Sequence, residues 1–188
     1  METAPLFEID GPAVVPVDEG TEALVPGPAF EVVVLGLPGP QGSKRHVGSG
    51  RMLESSAKVK PWREAVVWAS RQARLKIKDY TPLIGPLAAE MTFSFNRPKG
   101  HFGTGRNAGI VKDSAPLRPS VTPDLSKLAR STEDALTTAA AYRDDALIVE
   151  YRRLGKWYTT DHGLVPGVLD APGCTIRLWP IVRGEAEA

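Results

Sequence analysis

The stretch TPDLSKLARSTEDALTTAAAYRDDALIVEY, residues 122–151, holds the features that decide how the rest of the chain is interpreted. Its spacing predicts a helix, a short turn and the beginning of a strand. Thr122 is the expected N-cap of the helix, and Pro123 is expected at its first position. Small and apolar residues at helical spacing predict a core-facing stripe that comprises Leu125, Leu128, Ala129, Thr132, Ala135, Leu136 and Ala139.

Carboxylates stand at both ends of this predicted helix. Asp124 lies at its beginning, Asp144 and Asp145 lie in the turn after it, and the cations Lys127 and Arg130 lie between. Carboxylates with cations nearby suit a divalent metal that acts on a phosphate. Structural explanations stay open, because an aspartate in the first turn complements the helix dipole and aspartates favour turns.

The flanking patterns predict a second helix and a set of strands. Pro61 is expected at an early position of a helix whose apolar residues repeat at helical spacing to about Ile77. The strands are predicted at FEVVVLG (30–36), LAAEMTFSFN (87–96), ALIVEYRRL (146–154) and CTIRLWPI (174–181). The alternation in residues 87–96 predicts that one face of that strand packs on a core. The resulting order, β-α-β-α-β-β, predicts the α/β class.

Two glycine- and proline-rich loops carry much of the positive charge. Residues 37–51 form a basic loop with Lys44 and Arg45, in which glycine N–H groups and cations would suit a phosphodiester. An ordinary basic loop explains the same composition. Residues 97–121 are expected to lack regular structure, either as an arm that orders on a polyanion or as a tolerated insertion.

Composition places the chain among ordinary globular proteins. Its 188 residues, 42% of them hydrophobic, are enough for one domain with a core, and no run is long enough to span a membrane. We find no secretion signal. The single cysteine, Cys174, excludes an intrachain disulfide and is expected to be a buried thiol in a reducing compartment. The expected location is therefore cytoplasmic.

The net charge of +1 conceals a strong segregation. Residues 1–29 hold six acids and no Lys or Arg, whereas residues 44–118 hold 15 basic and 5 acidic residues. We expect an acidic, mostly disordered leader over 1–29, one domain over 30–183 and a tail over 184–188. The basic body favours a polyanionic partner, and a solvated basic surface remains the alternative.

From Phe30 to Ile181 the chain resembles the RusA family of Holliday-junction resolvases, which is common in phages and prophages. TPDLSKLARSTEDALT matches the family's aspartate-rich helix start and its later Asp-Ala-Leu, and AYRDDALIVEYR matches the Asp-Asp pair before a strand. PQGSKR and VKPWR are similar to phage members. The resemblance implies a small α/β (α+β) domain with helices packed on a mixed sheet. It also implies a homodimer that cuts four-way DNA junctions with Mg²⁺, or with Mn²⁺.

The resemblance also implies roles for individual residues. Asp124 and Asp145, with help from Asp144, would hold the metal. Arg130 would offset charge on the scissile phosphate, and Asp134 would be structural. Contacts to the DNA backbone are expected from Lys44, Arg45, Arg63, Lys127 and Arg130.

This chain departs from the family pattern at Ser126, where the family places a second catalytic aspartate. Serine is neutral, so the predicted metal site lacks one negative charge. Glu133 lies about half a turn from Asp124 on the helix and cannot simply replace the missing aspartate. Glu150, on the next predicted strand, is a conceivable substitute.

The expected function is metal-assisted hydrolysis of junction DNA in a bacterial host cell. One rival hypothesis is a junction-binding protein in which Ser126 has weakened or abolished cleavage. A second is a structural or interaction protein whose acidic turn binds nothing.

Overall fold

The computed structural model describes residues 22–24, 27–42, 44–46, 52–54 and 57–183. The helices are α1 (Val59–Leu75) and α2 (Leu125–Thr138). The strands are β1 (Glu22–Leu24), β2 (Phe30–Leu35), β3 (Lys44–His46), β4 (Met52–Glu54), β5 (Leu87–Phe95), β6 (Ile148–Tyr158) and β7 (Gly173–Arg183). The order β2-α1-β5-α2-β6-β7 confirms the predicted succession. The short strands β1, β3 and β4 were not predicted.

The main sheet is mixed, as the family resemblance implied. β5 is parallel to β6 on one side and antiparallel to β7 on the other, and β2 is antiparallel to β7. β1 pairs with the end of β7, where Glu22 lies opposite Arg183. β3 and β4 form a separate two-stranded sheet, with Arg45 opposite Leu53.

β5 is buried on both faces, so the prediction of one covered face was wrong. Met91 and Phe93 face the helices' side of the core, while Thr92 and Ser94 are just as inaccessible to solvent. The segment before β7 covers this second face, since the Leu169 N–H donates to Ser94 Oγ at 2.9 Å. Alternation of polarity therefore persists in a strand that is central to the sheet.

The two helices are joined by a buried polar contact as well as by apolar packing. Trp62 of α1 and Leu128 and Leu136 of α2 are fully buried in one core. The Trp62 indole N–H donates to Thr132 Oγ1 at 3.0 Å, and that hydroxyl donates to the Leu128 carbonyl at 2.9 Å. The contact satisfies the polar end of the largest side chain in the core.

α2 begins later than predicted. Its N-cap is Asp124, in an extended conformation, and Leu125 is the first helical residue, so Thr122 and Pro123 precede the helix. Lys156 of β6 holds this segment outside the helix by donating to the carbonyls of Val121 and Pro123 at 2.7 and 2.9 Å. Such a contact from a distant strand has no signature in the local sequence.

The prediction of a structureless loop over 97–121 was also wrong. The segment contains 3₁₀ turns at Lys99–His101 and Gly105–Asn107 and a backbone bridge between Phe102 and Val111. Arg97 and Arg118 attach it to the body, with guanidinium carbons 4.0 Å from the ring centres of Tyr158 and Trp157, respectively.

The Cys174 thiol is fully buried, which confirms the prediction of a buried thiol, and burial raises its pKa. Among the described residues, no helix has the length and apolar character that crossing a bilayer requires. Residues 1–21, 25, 26 and 184–188 lie outside the described residues, so the predicted domain limits stay predictions.

Thr132→Val tests the contact between the helices. The substitution keeps the side chain's shape but leaves the buried Trp62 N–H without an acceptor, so we expect a loss of about 1–3 kcal/mol in the free energy of unfolding. Urea denaturation measures it. Thr138→Val is the control, because the exposed Thr138 hydroxyl donates to a carbonyl of its own helix, that of Asp134, at 2.8 Å. Equal losses in the two variants would contradict the prediction.

Candidate functional site

The N-terminal end of α2 carries an ionised aspartate beside a lysine. Lys127 Nζ lies 2.8 Å from Asp124 Oδ2, and both side chains are about half exposed. The hydrogen bond and the positive charge of Lys127 lower the pKa of Asp124, and Lys156 lowers it further. Ser126 is exposed on the same turn. This end of the helix therefore carries an ionised carboxylate with two cations beside it.

Lys156 is a functional candidate that the sequence reasoning missed. Its ammonium group lies beneath the start of α2, and burial lowers its pKa while the charge of Asp124 raises it. The signal that could have identified it is a lysine between the buried positions of a strand, in GKWY (155–158). Its position adds a second cation near Asp124.

The basic loop after β2 is anchored at this same end of the molecule. The Gln41 N–H donates to the Lys127 carbonyl at 2.9 Å, and the Ser131 hydroxyl donates to the Gly39 carbonyl at 2.6 Å. Gly39 is required there, because a Cβ would collide with the Lys58 carbonyl. The loop is therefore bonded to α2 at Gln41, shortly before β3, the strand that contains the predicted DNA-binding residues Lys44 and Arg45.

The aspartate pair follows the other end of α2, and its two members differ in role. Asp144 Oδ1 accepts a hydrogen bond from the Ala146 N–H at 2.9 Å and so caps the 3₁₀ turn Asp145–Leu147. The presence of an aspartate at position 144 is thus explained by its structural role in the turn. Asp145 is exposed and makes no such capping contact within the described part of the chain, which leaves it the better candidate of the two for chemistry.

Glu133 joins Asp145 at this end of the helix. Its carboxyl group accepts a hydrogen bond from the Tyr151 hydroxyl of β6. Burial raises the pKa of Glu133 to about 7, and the charges of Asp145 and Asp134 add to the effect, while Arg130 opposes it. The sequence reasoning excluded Glu133 as a partner of Asp124 and did not foresee its proximity to Asp145.

The cations Arg63 and Arg130 lie toward this acidic end. Arg63 Nη1 is 3.4 Å from Asp134 Oδ2, so the predicted DNA contact of Arg63 would compete with a bond inside the protein. Arg130 is exposed, and its charge acts on Glu133. The predicted role of Arg130 at the scissile phosphate stays a prediction.

The single-chain metal centre predicted from Asp124, Asp144 and Asp145 is not assembled. Asp124 is the N-cap of the 14-residue helix α2, whereas Asp145 follows the other end of that helix and acts on Glu133. Oxygen ligands of Mg²⁺ lie about 2 Å from the ion, so the ligands of one ion must be grouped closely. Within the described ranges no three His, Cys, Asp or Glu side chains are grouped as a metal site.

Comparison with known proteins identifies a family. The family model described as endodeoxyribonuclease RusA matches residues 36–165, more than two thirds of the chain. The matched range includes α1, β5, α2 and all of β6, and with them both charged ends of α2. No individual curated protein matches the sequence significantly.

Glu133→Gln tests the electrostatics of the acidic end. The pKa of Glu133 rises from 4.5 to about 7 on folding, so the folded protein binds more protons than the unfolded chain between these values. The parent should therefore lose stability as the pH rises through that window. We expect the variant to gain about 1–2 kcal/mol over the parent at pH 8, after allowance for solvent screening, and little at pH 4.

Urea denaturation at the two pH values measures this difference. Glu64→Gln is the control, since Glu64 is an exposed residue of α1 whose carboxylate is 3.9 Å from Lys60 Nζ. An equal pH dependence in the parent and Glu133→Gln would refute the assignment.

Proposed function

The chain belongs to the RusA family of endodeoxyribonucleases, and on that premise we propose that it is a structure-specific endodeoxyribonuclease that resolves four-way DNA junctions in recombination and repair. The observation that carries the proposal is the family match over the segment that holds both charged ends of α2. The exposed Asp124 and Asp145 are the residues that we propose for the chemistry, and Asp144 supports Asp145 by shaping the turn.

DNA binding is proposed at the N-terminal end of α2. Lys127 and Lys156 lie beside Asp124 there, and Gln41, which donates to the Lys127 carbonyl, lies three residues before Lys44 in the sequence. These cations would contact phosphates regardless of base sequence, so affinity should fall as salt rises. Arg63 and Arg130, at the acidic end, would add contacts only if DNA extends along the helix.

Hydrolysis of a phosphodiester by such a family member calls for a divalent metal, which when bound polarises the phosphate and activates a water. The carboxylates of one chain do not fit that group, because α2 holds them apart. Residues of this chain still have defined tasks. The ionised Asp124 offers a negative oxygen beside the phosphate-binding cations, and the exposed Asp145 offers another at the far end.

A homodimer could combine the separated carboxylates of Asp124 and Asp145 in one site. A two-fold axis perpendicular to α2 would place Asp124 of one protomer beside Asp145 of the partner subunit, and would do so twice. β6 is the edge strand of the main sheet next to α2, and Val149 and Tyr151 on it are 63% and 39% exposed. We propose this edge, together with α2, as the dimer contact.

Nicking of a synthetic four-way junction tests the function. With Mg²⁺ we expect the parent to introduce paired nicks, EDTA to prevent them, and Asp145→Asn to lose activity by roughly two orders of magnitude or more while still binding DNA. Asp170→Asn is the control, because Asp170 is an exposed acid in the segment before β7. Absence of nicking by the parent, or equal nicking by Asp145→Asn, would contradict the proposed chemistry.

A non-cutting junction-binding protein is the alternative that Ser126 favours. The variant Ser126→Asp distinguishes a junction-cutting enzyme from a non-cutting junction-binding protein in the same nicking assay. If the parent binds junctions without cutting and the variant cuts, the alternative holds. If the parent cuts by itself, the alternative is wrong.

A site formed by Asp124 of one protomer and Asp145 of its partner predicts that two inactive variants restore activity when they are mixed. Asp124→Asn and Asp145→Asn should each be inactive, yet an equal mixture should recover about a quarter of the parent's nicking, since half of the dimers are mixed and each mixed dimer has one intact site. A mixture of Asp124→Asn with the double variant is the control. A site contained within one chain predicts no recovery in either mixture.

A further inference from the structure

An open groove between β2 and α1 lies outside the site described above. It encloses about 820 Å³ and is lined on the strand side by Ala29 and Val33 and on the helix side by Trp68, Ala73 and Ile77. Trp68 is 68% exposed, whereas the other three tryptophans are buried. We call this surface the β2–α1 groove. A large aromatic side chain held open to solvent at the wall of an apolar groove is typical of a docking site.

We propose that residues 1–21 of the same chain, the acidic leader, dock in the β2–α1 groove. The proposal does not rest on the proposed nuclease function. The path of the chain, the charge of the groove's rim and the composition of the leader support it.

The path of the chain brings the leader to the groove. β1 begins at Glu22, directly after the leader, and the chain then passes Pro28 and Ala29, which line the groove, before it enters β2. An extended segment of 21 residues spans up to about 70 Å, so its reach is ample. Tethering at this short distance also raises the leader's effective concentration at the groove above that of any separate partner.

The rim of the groove is positive. Lys76 lines it, and Arg71 of α1 lies on the adjoining surface. Neither residue forms an ion pair with another described residue. The one acid in the lining, Glu31, is already bonded to Arg177 at 2.8 Å. The groove therefore offers free positive charge next to apolar surface.

The leader has the complementary composition. Residues 1–21 contain five acids, Glu2, Glu8, Asp10, Asp18 and Glu19, and no Lys or Arg. Their apolar side chains include Leu6, Phe7 and Ile9, which are interleaved with Glu8 and Asp10 in PLFEID. Such a segment can cover Trp68 with apolar groups while its carboxylates face Lys76 and Arg71. Residues 1–21 also lie outside the range that the family model matches, so this docking would belong to this chain rather than to the family.

Paramagnetic broadening in the full chain tests the proposal. Thr3→Cys introduces one accessible thiol for a spin label, because Cys174 is fully buried and burial raises its pKa. We expect the indole N–H signal of Trp68, assigned with Trp68→Phe, to lose most of its intensity and to regain it on reduction of the label. The signals of the buried tryptophans, Trp62, Trp157 and Trp179, should be affected less.

A matched variant and a mixing experiment identify the occupant. The same label in a chain that also carries Leu6→Ser, Phe7→Ser and Ile9→Ser should leave the Trp68 signal intact. Equal broadening in that variant, or no broadening in the parent, would overturn the proposal. Equal broadening when labelled and isotope-enriched chains are separate molecules in a mixture would assign the groove to a second copy and would also overturn it.

Discussion

Burial of one side of α2 against α1 and the sheet is the constraint on which the rest of the structure depends. Leu128 and Leu136 are fully buried in that contact, and the bond from Trp62 to Thr132 fixes how the two helices meet. Because the apolar stripe faces inward, the charged residues of α2 lie along its border with solvent. The helix then acts as a rigid spacer of about 20 Å between its two charged ends.

The two ends have opposite electrostatic surroundings. At the first, Lys127 and Lys156 keep the pKa of Asp124 low, so an anion such as a phosphate meets both a carboxylate and cations. At the second, burial and the nearby charge of Asp145 raise the pKa of Glu133, so a cation or a proton is favoured. The homodimer that we propose would bring these two ends together from different subunits.

Much of the fold was predictable because it depends on local periodicity. The stripe that contains Leu128, Thr132 and Leu136 determined where α2 lies, and β-branched or alternating runs determined the main strands. The predictions that failed depended on distant contacts. Lys156 determines where α2 begins, and the segment around Leu169 covers the second face of β5. Neither partner adjoins the residues that it affects.

The residue types of the candidate site, its carboxylates and neighbouring cations, were evident from their pattern along the chain, as was the family resemblance. Their arrangement in space was not. Asp124 is the N-cap of α2, whereas Asp145 follows the other end of that helix and acts on Glu133, so residues that are close in the pattern lie toward opposite ends of the helix. Likewise, the composition of residues 1–29 indicated an acidic leader, but only the packing of β2 against α1 created a groove with exposed Trp68 that such a leader would fit. Local pattern depends on neighbours in the chain, whereas sites and grooves depend on surfaces that folding brings together.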